Sequence, residues 1–195
     1  MTGPHHDAEI SRRVRRLETL LEDRGIVAGA ALDEALDAFL SGASPANGAR
    51  VVARAWTDPA FRGRLLADGT SAVAELGMSS GGVQPQRLRV VENTPDTHNV
   101  IVCTLCSCYP VRLLGPSPGW YKSESYRSRV VREPRAVLEE FGVHLPDGTR
   151  ITVWDSTAET RYMVLPLRPA GTEGLDESAL AALVTRNALI GTAVL

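Results

Sequence analysis

No sign of charge dominates this chain. Over 195 residues, 21 Lys+Arg stand against 23 Asp+Glu, a formal net charge of −2. A nucleic-acid binder needs a basic face to displace phosphate counterions, so the composition argues against DNA and RNA as partners. Long apolar runs are also missing: none approaches the roughly 20 residues that cross a bilayer, which argues against a membrane span. The opening Met1-Thr2-Gly3-Pro4-His5-His6-Asp7 has no apolar core and does not read as a secretory leader. Cysteine is scarce, with three in all, packed between positions 103 and 108. A disulfide framework spreads its cysteines along the chain, so none staples this fold. These absences point to a soluble, cytoplasmic protein of a reducing compartment. Aromatics are few at 5%, yet 44% hydrophobic residues are enough for one domain plus an arm.

The first third reads as helix. Ile10, Val14, Leu17 and Leu21 recur at helical spacing among Arg12, Arg13, Arg15 and Arg16, with Gly25 as the stop. Leu32, Leu36, Phe39 and Leu40 mark a second amphipathic helix, ended by Ser41-Gly42-Ala43-Ser44-Pro45. Two thin stripes do not make a core, so residues 1–48 are expected to form a helical arm that buries its stripes on a partner. Residues 49–195 are expected to be the globular metal-binding domain. In it, Val51, Val52, Ala55 and Trp56 predict a buried helical face, and Asp58-Pro59 a capped helix start. Helices are expected over 60–67 and 71–76, then a loop over 77–85. The period then changes to two, and strands are expected around Leu88 and Val90, at 100–102, 151–154 and 161–165. Short helices are expected at 134–141 and from about 177 to 186. Helices first and short strands later predict an α+β fold with a mixed, layered C-terminal part, not a regularly alternating one.

The informative segment is Val102-Cys103-Thr104-Leu105-Cys106-Ser107-Cys108-Tyr109-Pro110. Cys103 and Cys106 have the spacing of a redox dithiol, which leaves Cys108 without a role. Structural zinc wants four ligands, usually as two separated pairs, and only an awkward fold-back would bring in His98. An iron–sulfur cluster wants a fourth cysteine. The backbone offers another route. A metal held by Cys106 and Cys108 lies against the amide nitrogens of Ser107 and Cys108. Three sulfurs and two deprotonated amides fill five positions of an octahedron. Amide deprotonation demands a strongly Lewis-acidic trivalent ion, and such donors favour low-spin Co(III), with Fe(III) as the alternative, over zinc.

The segment resembles the metal claw of nitrile hydratase alpha subunits, Cys-x-Leu-Cys-Ser-Cys. The resemblance continues in order through Trp56-Thr57-Asp58-Pro59, Leu65-Leu66-Ala67-Asp68-Gly69-Thr70, Val91-Glu92-Asn93-Thr94, Trp120-Tyr121-Lys122, Val153-Trp154-Asp155 and Arg168-Pro169-Ala170-Gly171-Thr172. Thr104 followed by Tyr109 resembles the cobalt class. What the resemblance implies is a lyase chain that adds water to R–C≡N, giving R–CO–NH₂. Cys103, Cys106, Ser107 and Cys108 would hold one cobalt, with Cys106 as a sulfinic and Cys108 as a sulfenic acid. The attacking oxygen, from water or from the Cys108 sulfenate, is left open. Gln84, Glu159 and Arg161 are implied as further site residues. The implied partners are a β subunit or two β-like chains, needed for activity, and an activator or metallochaperone. One three-component member, with the β part split in two, acts on the nucleoside nitrile toyocamycin.

The chain departs from the family pattern after the claw. Val111 stands where members usually carry tryptophan, Leu167 replaces a common glutamine, and the N-terminal arm is short. Losing an indole leaves room, which predicts a preference for bulky aromatic or heterocyclic nitriles. The competing enzyme is thiocyanate hydrolase, whose metal-bearing chain resembles this one through 158–165. A tight cationic pocket would suit that anion, and Arg112 could serve it. The non-enzyme alternative is a dithiol or metal-carrier module built on Cys103 and Cys106.

Overall fold

The structure is a computed structural model that describes residues 4–79, 86–106 and 108–195. Its contacts separate a unit ending at Ser41 from one running Gly42–Leu195. The first unit holds helices α1 (Pro4–Asp23) and α2 (Gly29–Ser41). Their apolar stripes stay open: Ile10, Val14 and Leu17 are 46%, 48% and 56% exposed, and Leu32, Leu36 and Leu40 are exposed too. Residues 42–48 go with the second unit for a local reason. Asn47 Nδ2 donates to Arg112 O at 2.8 Å, and Gly48 is buried so closely that a Cβ there would meet Leu113 O at 2.8 Å.

Caps set the helices that follow. Ser44 accepts from Ala46 N to open α3 (Pro45–Thr57), and its Val51, Val52 and Ala55 are buried. Asp58 accepts from Phe61 N at 2.9 Å to open α4 (Pro59–Ala67), and Asp68 takes the amides of Thr70 and Ser71 to open α5 (Gly69–Glu75). The Phe61 amide holds the Asp58 carboxyl below the ordinary range, and the Ser71 hydroxyl, with the Ser71 and Thr70 amides, does the same for Asp68. The expected breaks at 58 and 68 are found, Asp58 capping as the sequence predicts, while the helix expected from 71 starts at Gly69 because Asp68 caps it.

Four strands form: β1 (Arg87–Glu92), whose burial alternates at its start, β2 (Thr97–Val102), buried nearly throughout, β3 (Arg150–Asp155) and β4 (Thr160–Leu165). They pair in parallel as two two-stranded pieces, with Leu88 opposite Arg161 and Val102 opposite Asp155. On β1, Leu88 and Val90 are buried while Arg87 and Arg89 face out. Helices first, then short strands and helices, make the α+β arrangement that the sequence predicts.

Between β2 and β3 the chain forms α6 (Val111–Leu114), a 3-10 turn (Gly119–Lys122), α7 (Glu124–Val130) and α8 (Pro134–Glu140). The first three were not expected from the sequence. The 177–186 helix is also corrected. Helix α9 (Glu177–Leu183) ends as Val184 turns extended, and Thr185 caps a separate α10 (Arg186–Ile190) by accepting from Ala188 N. The core gathers Val51, Val52, Phe61, Leu65, Leu88, Ile101, Leu113, Met163, Val164 and Leu189 around the two strand pairs. Among the described residues, no helix is long and apolar enough to cross a membrane.

A polar network crosses the back of β2. Asn93 Oδ1 accepts from Asn99 N and Asn99 Nδ2, which fixes the amide so that Asn93 Nδ2 faces His98 Nδ1 at 3.4 Å. His98 Nδ1 must then be the acceptor, so Nε2 carries the proton and donates to Gly191 O at 2.7 Å. His98 is a neutral structural residue, and burial lowers its pKa.

Candidate metal centre

The three thiols sit where β2 ends. Cys103 leaves the strand 1% exposed, Cys106 is exposed and Cys108 half-buried. Their sulfurs cluster: Cys103 Sγ to Cys106 Sγ is 3.4 Å, Cys106 Sγ to Cys108 Sγ is 3.3 Å, and all three lie within 4.8 Å of one another. Among the described residues this is the one group of His, Cys, Asp or Glu side chains close enough to share an ion. Cys106 N also donates to Cys103 Sγ at 3.4 Å, which curls the loop inward. Burial, with Cys106 alongside, pushes the Cys108 thiol up to about 12, against the pull of nearby Arg161. The Cys108 thiol stays protonated until a cation displaces its proton. Three soft sulfur donors at contact range fit a thiophilic transition metal.

Groups that the sequence reading missed pin this loop. Thr104 donates twice to the Asp155 carboxylate, from its amide at 2.9 Å and from its hydroxyl at 2.6 Å. Arg127 Nη1 donates to Thr104 O at 3.2 Å. Tyr121, fully buried, donates from its phenol to Cys108 O at 3.0 Å, and its ring packs edge-on against Tyr109 at 5.1 Å. Ser156 N donates to Val102 O at 2.7 Å, which carries the β2–β3 ladder to the edge of the claw. No local pattern marks these residues, because each partner lies far away in sequence.

The other sequence-predicted residues fall in different places. Arg161 is 8% exposed at the start of β4, donates through Nη1 to Thr157 O, and has no hydrogen-bond partner for Nε among the described residues. Glu159 is exposed and accepts from Thr157 Oγ1 at 3.0 Å in the turn before β4. It lines an open groove of about 1010 Å³ with Asp68, Ser71, Arg87 and Thr160. Val111 is half-buried against the core at the start of α6. Gln84 and Ser107 lie outside the described residues. His98, considered as a fourth ligand, is instead committed to Asn93 and Gly191.

A thiol trio on such a loop can be compared with known proteins. The profile described as "Nitrile hydratase, alpha chain" matches residues 8–193. The chain belongs to the nitrile hydratase alpha-chain family. The low-molecular weight cobalt-containing nitrile hydratase subunit alpha of Rhodococcus rhodochrous is 50% identical over 193 residues, covering 99% of this chain and 92% of its own. A solved Fe-type nitrile hydratase from Comamonas testosteroni Ni1, a double mutant, superposes with a TM-score of 0.90 at 46% identity, covering 100% of this chain and 92% of that one. Thiocyanate hydrolase subunit gamma of Thiobacillus thioparus is 46% identical over 159 residues, covering 77% of this chain and 65% of its own. The nitrile hydratase family and the α+β architecture thus agree with the sequence reading, and the claw falls within the matched span.

Proposed function

We propose that this chain is the cobalt-bearing alpha subunit of a nitrile hydratase, adding one water across R–C≡N to give R–CO–NH₂ with a β-type partner. The observation that carries the reading is the clustering of the Cys103, Cys106 and Cys108 sulfurs within 4.8 Å, in a chain of this family. Cys103, Cys106 and Cys108, with the amide nitrogens of Ser107 and Cys108, would hold the ion. When bound, Co(III) supplies the Lewis acidity that polarises the nitrile. Cobalt is favoured over Fe(III) by Thr104 followed by Tyr109 and by the cobalt-containing relative.

The chain's own residues divide the remaining work. Cys103, buried, anchors the loop. Cys106 and Cys108 face outward and are where sulfinic and sulfenic oxygens would form. The buried Arg161 guanidinium, on the Cys108 side, would donate its spare Nε–H to such an oxygen. Glu159 braces the Thr157 turn that in turn holds Arg161. Gln84 is assigned to substrate on the resemblance alone. The open stripes of α1 and α2 suit an arm that lies on a partner chain. Three cysteines clustered in six positions, not spread as a disulfide framework, support a reducing compartment, read as the cytoplasm. Val111 in place of a tryptophan gives room for bulky aromatic or heterocyclic nitriles.

The test reconstitutes the chain with its partner and measures kcat/KM for acrylonitrile, a bicyclic heteroaryl nitrile and thiocyanate, in wild type and Val111→Trp. The expected result is nitrile turnover, with Val111→Trp costing the large nitrile about 1–3 kcal/mol more than the small one. Cobalt should survive prolonged chelation, and mass spectrometry should find added oxygens on the claw peptide. Turnover of thiocyanate in place of nitriles would point to the thiocyanate hydrolase reading. A labile metal would point to a carrier module.

A further inference from the structure

Thr104 follows the first cysteine, and both of its hydrogen-bond donors end on one carboxylate. Its amide and its hydroxyl reach the two oxygens of Asp155 at 2.9 and 2.6 Å. Asp155 is the last residue of β3 and stands opposite Val102, the last residue of β2, so the strand pairing sets the carboxylate beside the start of the claw. A carboxylate that accepts two donors from one residue fixes that residue's position and its χ1 together. Arg127 takes the Thr104 carbonyl at 3.2 Å, which leaves no backbone group of this residue free to turn. The far end of the claw is held separately by Tyr121 at Cys108 O. Between these anchors Leu105 is 90% exposed and adds no packing of its own. Beyond the buried Cys103, hydrogen bonds at Thr104 and Cys108 O hold the described part of the loop.

We propose that Asp155 is a positioning residue that presets the three thiols for metal by clamping Thr104. The proposal rests on the reading of the cysteines as metal ligands. Without the clamp, Thr104 would sample other rotamers and backbone angles, Cys103 and Cys106 would drift apart, and the ion would have to order the loop as it bound. Metal affinity then falls while the fold, built on the two strand pairs, stays.

The test uses the full-length chain without metal, titrated with Co(II) while the thiolate-to-cobalt absorption band is followed. The variants are Asp155→Ala, Asp155→Asn, Thr104→Val and the double variant Asp155→Ala/Thr104→Val. Asp155→Ala should weaken cobalt binding by about 10–100-fold, the usual cost of losing a group that orients a ligand. Asp155→Asn, which keeps an acceptor for the Thr104 amide, should fall between this and wild type. Thr104→Val removes only the hydroxyl and should weaken binding in the native background, but have no further effect once Asp155 is alanine. A merely structural aspartate would give additive losses. Thermal unfolding of the metal-free chains checks the fold. If Asp155→Ala does not fold, Asp155→Asn and Thr104→Val with their double variant carry the same comparison. Binding within twofold of wild type in folded Asp155 variants, or additive effects, would overturn the proposal alone. A wild-type chain with no thiolate–cobalt band would overturn the cysteine assignment and the proposal with it.

Discussion

Replacing Gly191 with alanine tests how the end of α10 is seated on β2. Gly191 has φ +92°, and an added Cβ would stand 2.0 Å from Asn99 O and 2.8 Å from Val100 Cα, both backbone atoms of a paired strand. Two costs combine. Left-handed backbone costs an L-residue roughly 1–2 kcal/mol. The overlap cannot be relieved by a rotamer, so the α10 terminus must lift, which stretches the 2.7 Å bond from His98 Nε2 to Gly191 O. A buried donor left without its acceptor costs about 1–3 kcal/mol. The sum is about 2–5 kcal/mol, reaching the range of the more damaging single substitutions. Two controls separate the terms. Gly77 has φ +69° and, among the described residues, nothing within 4 Å of an added Cβ, so Gly77→Ala should show the conformational cost alone. Gly119 has open space and no positive φ, so Gly119→Ala should stay within about 0.5 kcal/mol of wild type. Urea unfolding followed by tryptophan fluorescence, with the denaturant slope checked for constancy, measures all three. A Gly191→Ala loss below about 1 kcal/mol, or one no larger than that of Gly77→Ala, would refute the overlap argument.

Two further outcomes are expected. His98 has its folded pKa lowered from 6.5 by burial, so the unfolded chain takes up the proton first as pH falls. Its contribution to stability is complete above about 6.5 and is lost as pH drops from there toward the folded value. Urea midpoints between pH 7.5 and 5.5 should fall for wild type and fall less for His98→Gln; parallel curves would exclude His98 as the source. Tyr121→Phe keeps the ring contacts but removes the bond to Cys108 O, and should cost about 0.5–1.5 kcal/mol and speed the loss of cobalt to chelator. Unchanged stability and unchanged release would mean that water replaces the phenol at no cost.

The claw was legible because its chemistry is local: three cysteines within six positions state their own case. The helix start at Asp58 was legible because the cap and its amides are adjacent and Pro59 follows; at Asp68 the break was read but not the cap, so α5 starts two residues before the expected 71. The 111–130 segment was missed because Pro110, Gly115, Pro116, Pro118 and Gly119 interrupt any helical period, although Ser123 carries the capping signal of α7. Thr185 carries the same signal for α10, but the apolar spacing appears continuous across Val184 and hid the break. Strand positions followed from alternation at Leu88 and Val90 and from β-prone runs elsewhere. Strand partners did not, since parallel pairing joins segments far apart and leaves no mark on either one. Asp155 was invisible as a site residue for this reason: on its own it is one acid at the end of a strand.

The distance along the chain between Thr104 and Asp155, 51 positions, also sets an order of events during synthesis. The thiols are translated first, and the residue that holds their loop comes later. At ordinary elongation rates the gap is about 3–10 s. During that time a nascent chain carries three thiols close in sequence but without β3 beside them. A metal ion or an oxidant arriving then would meet a floppy peptide, not a shaped receptor. If Asp155 presets the claw, the parallel pairing that aligns Val102 with Asp155 also sets a time: the loop takes its clamped shape only after β3 has been made.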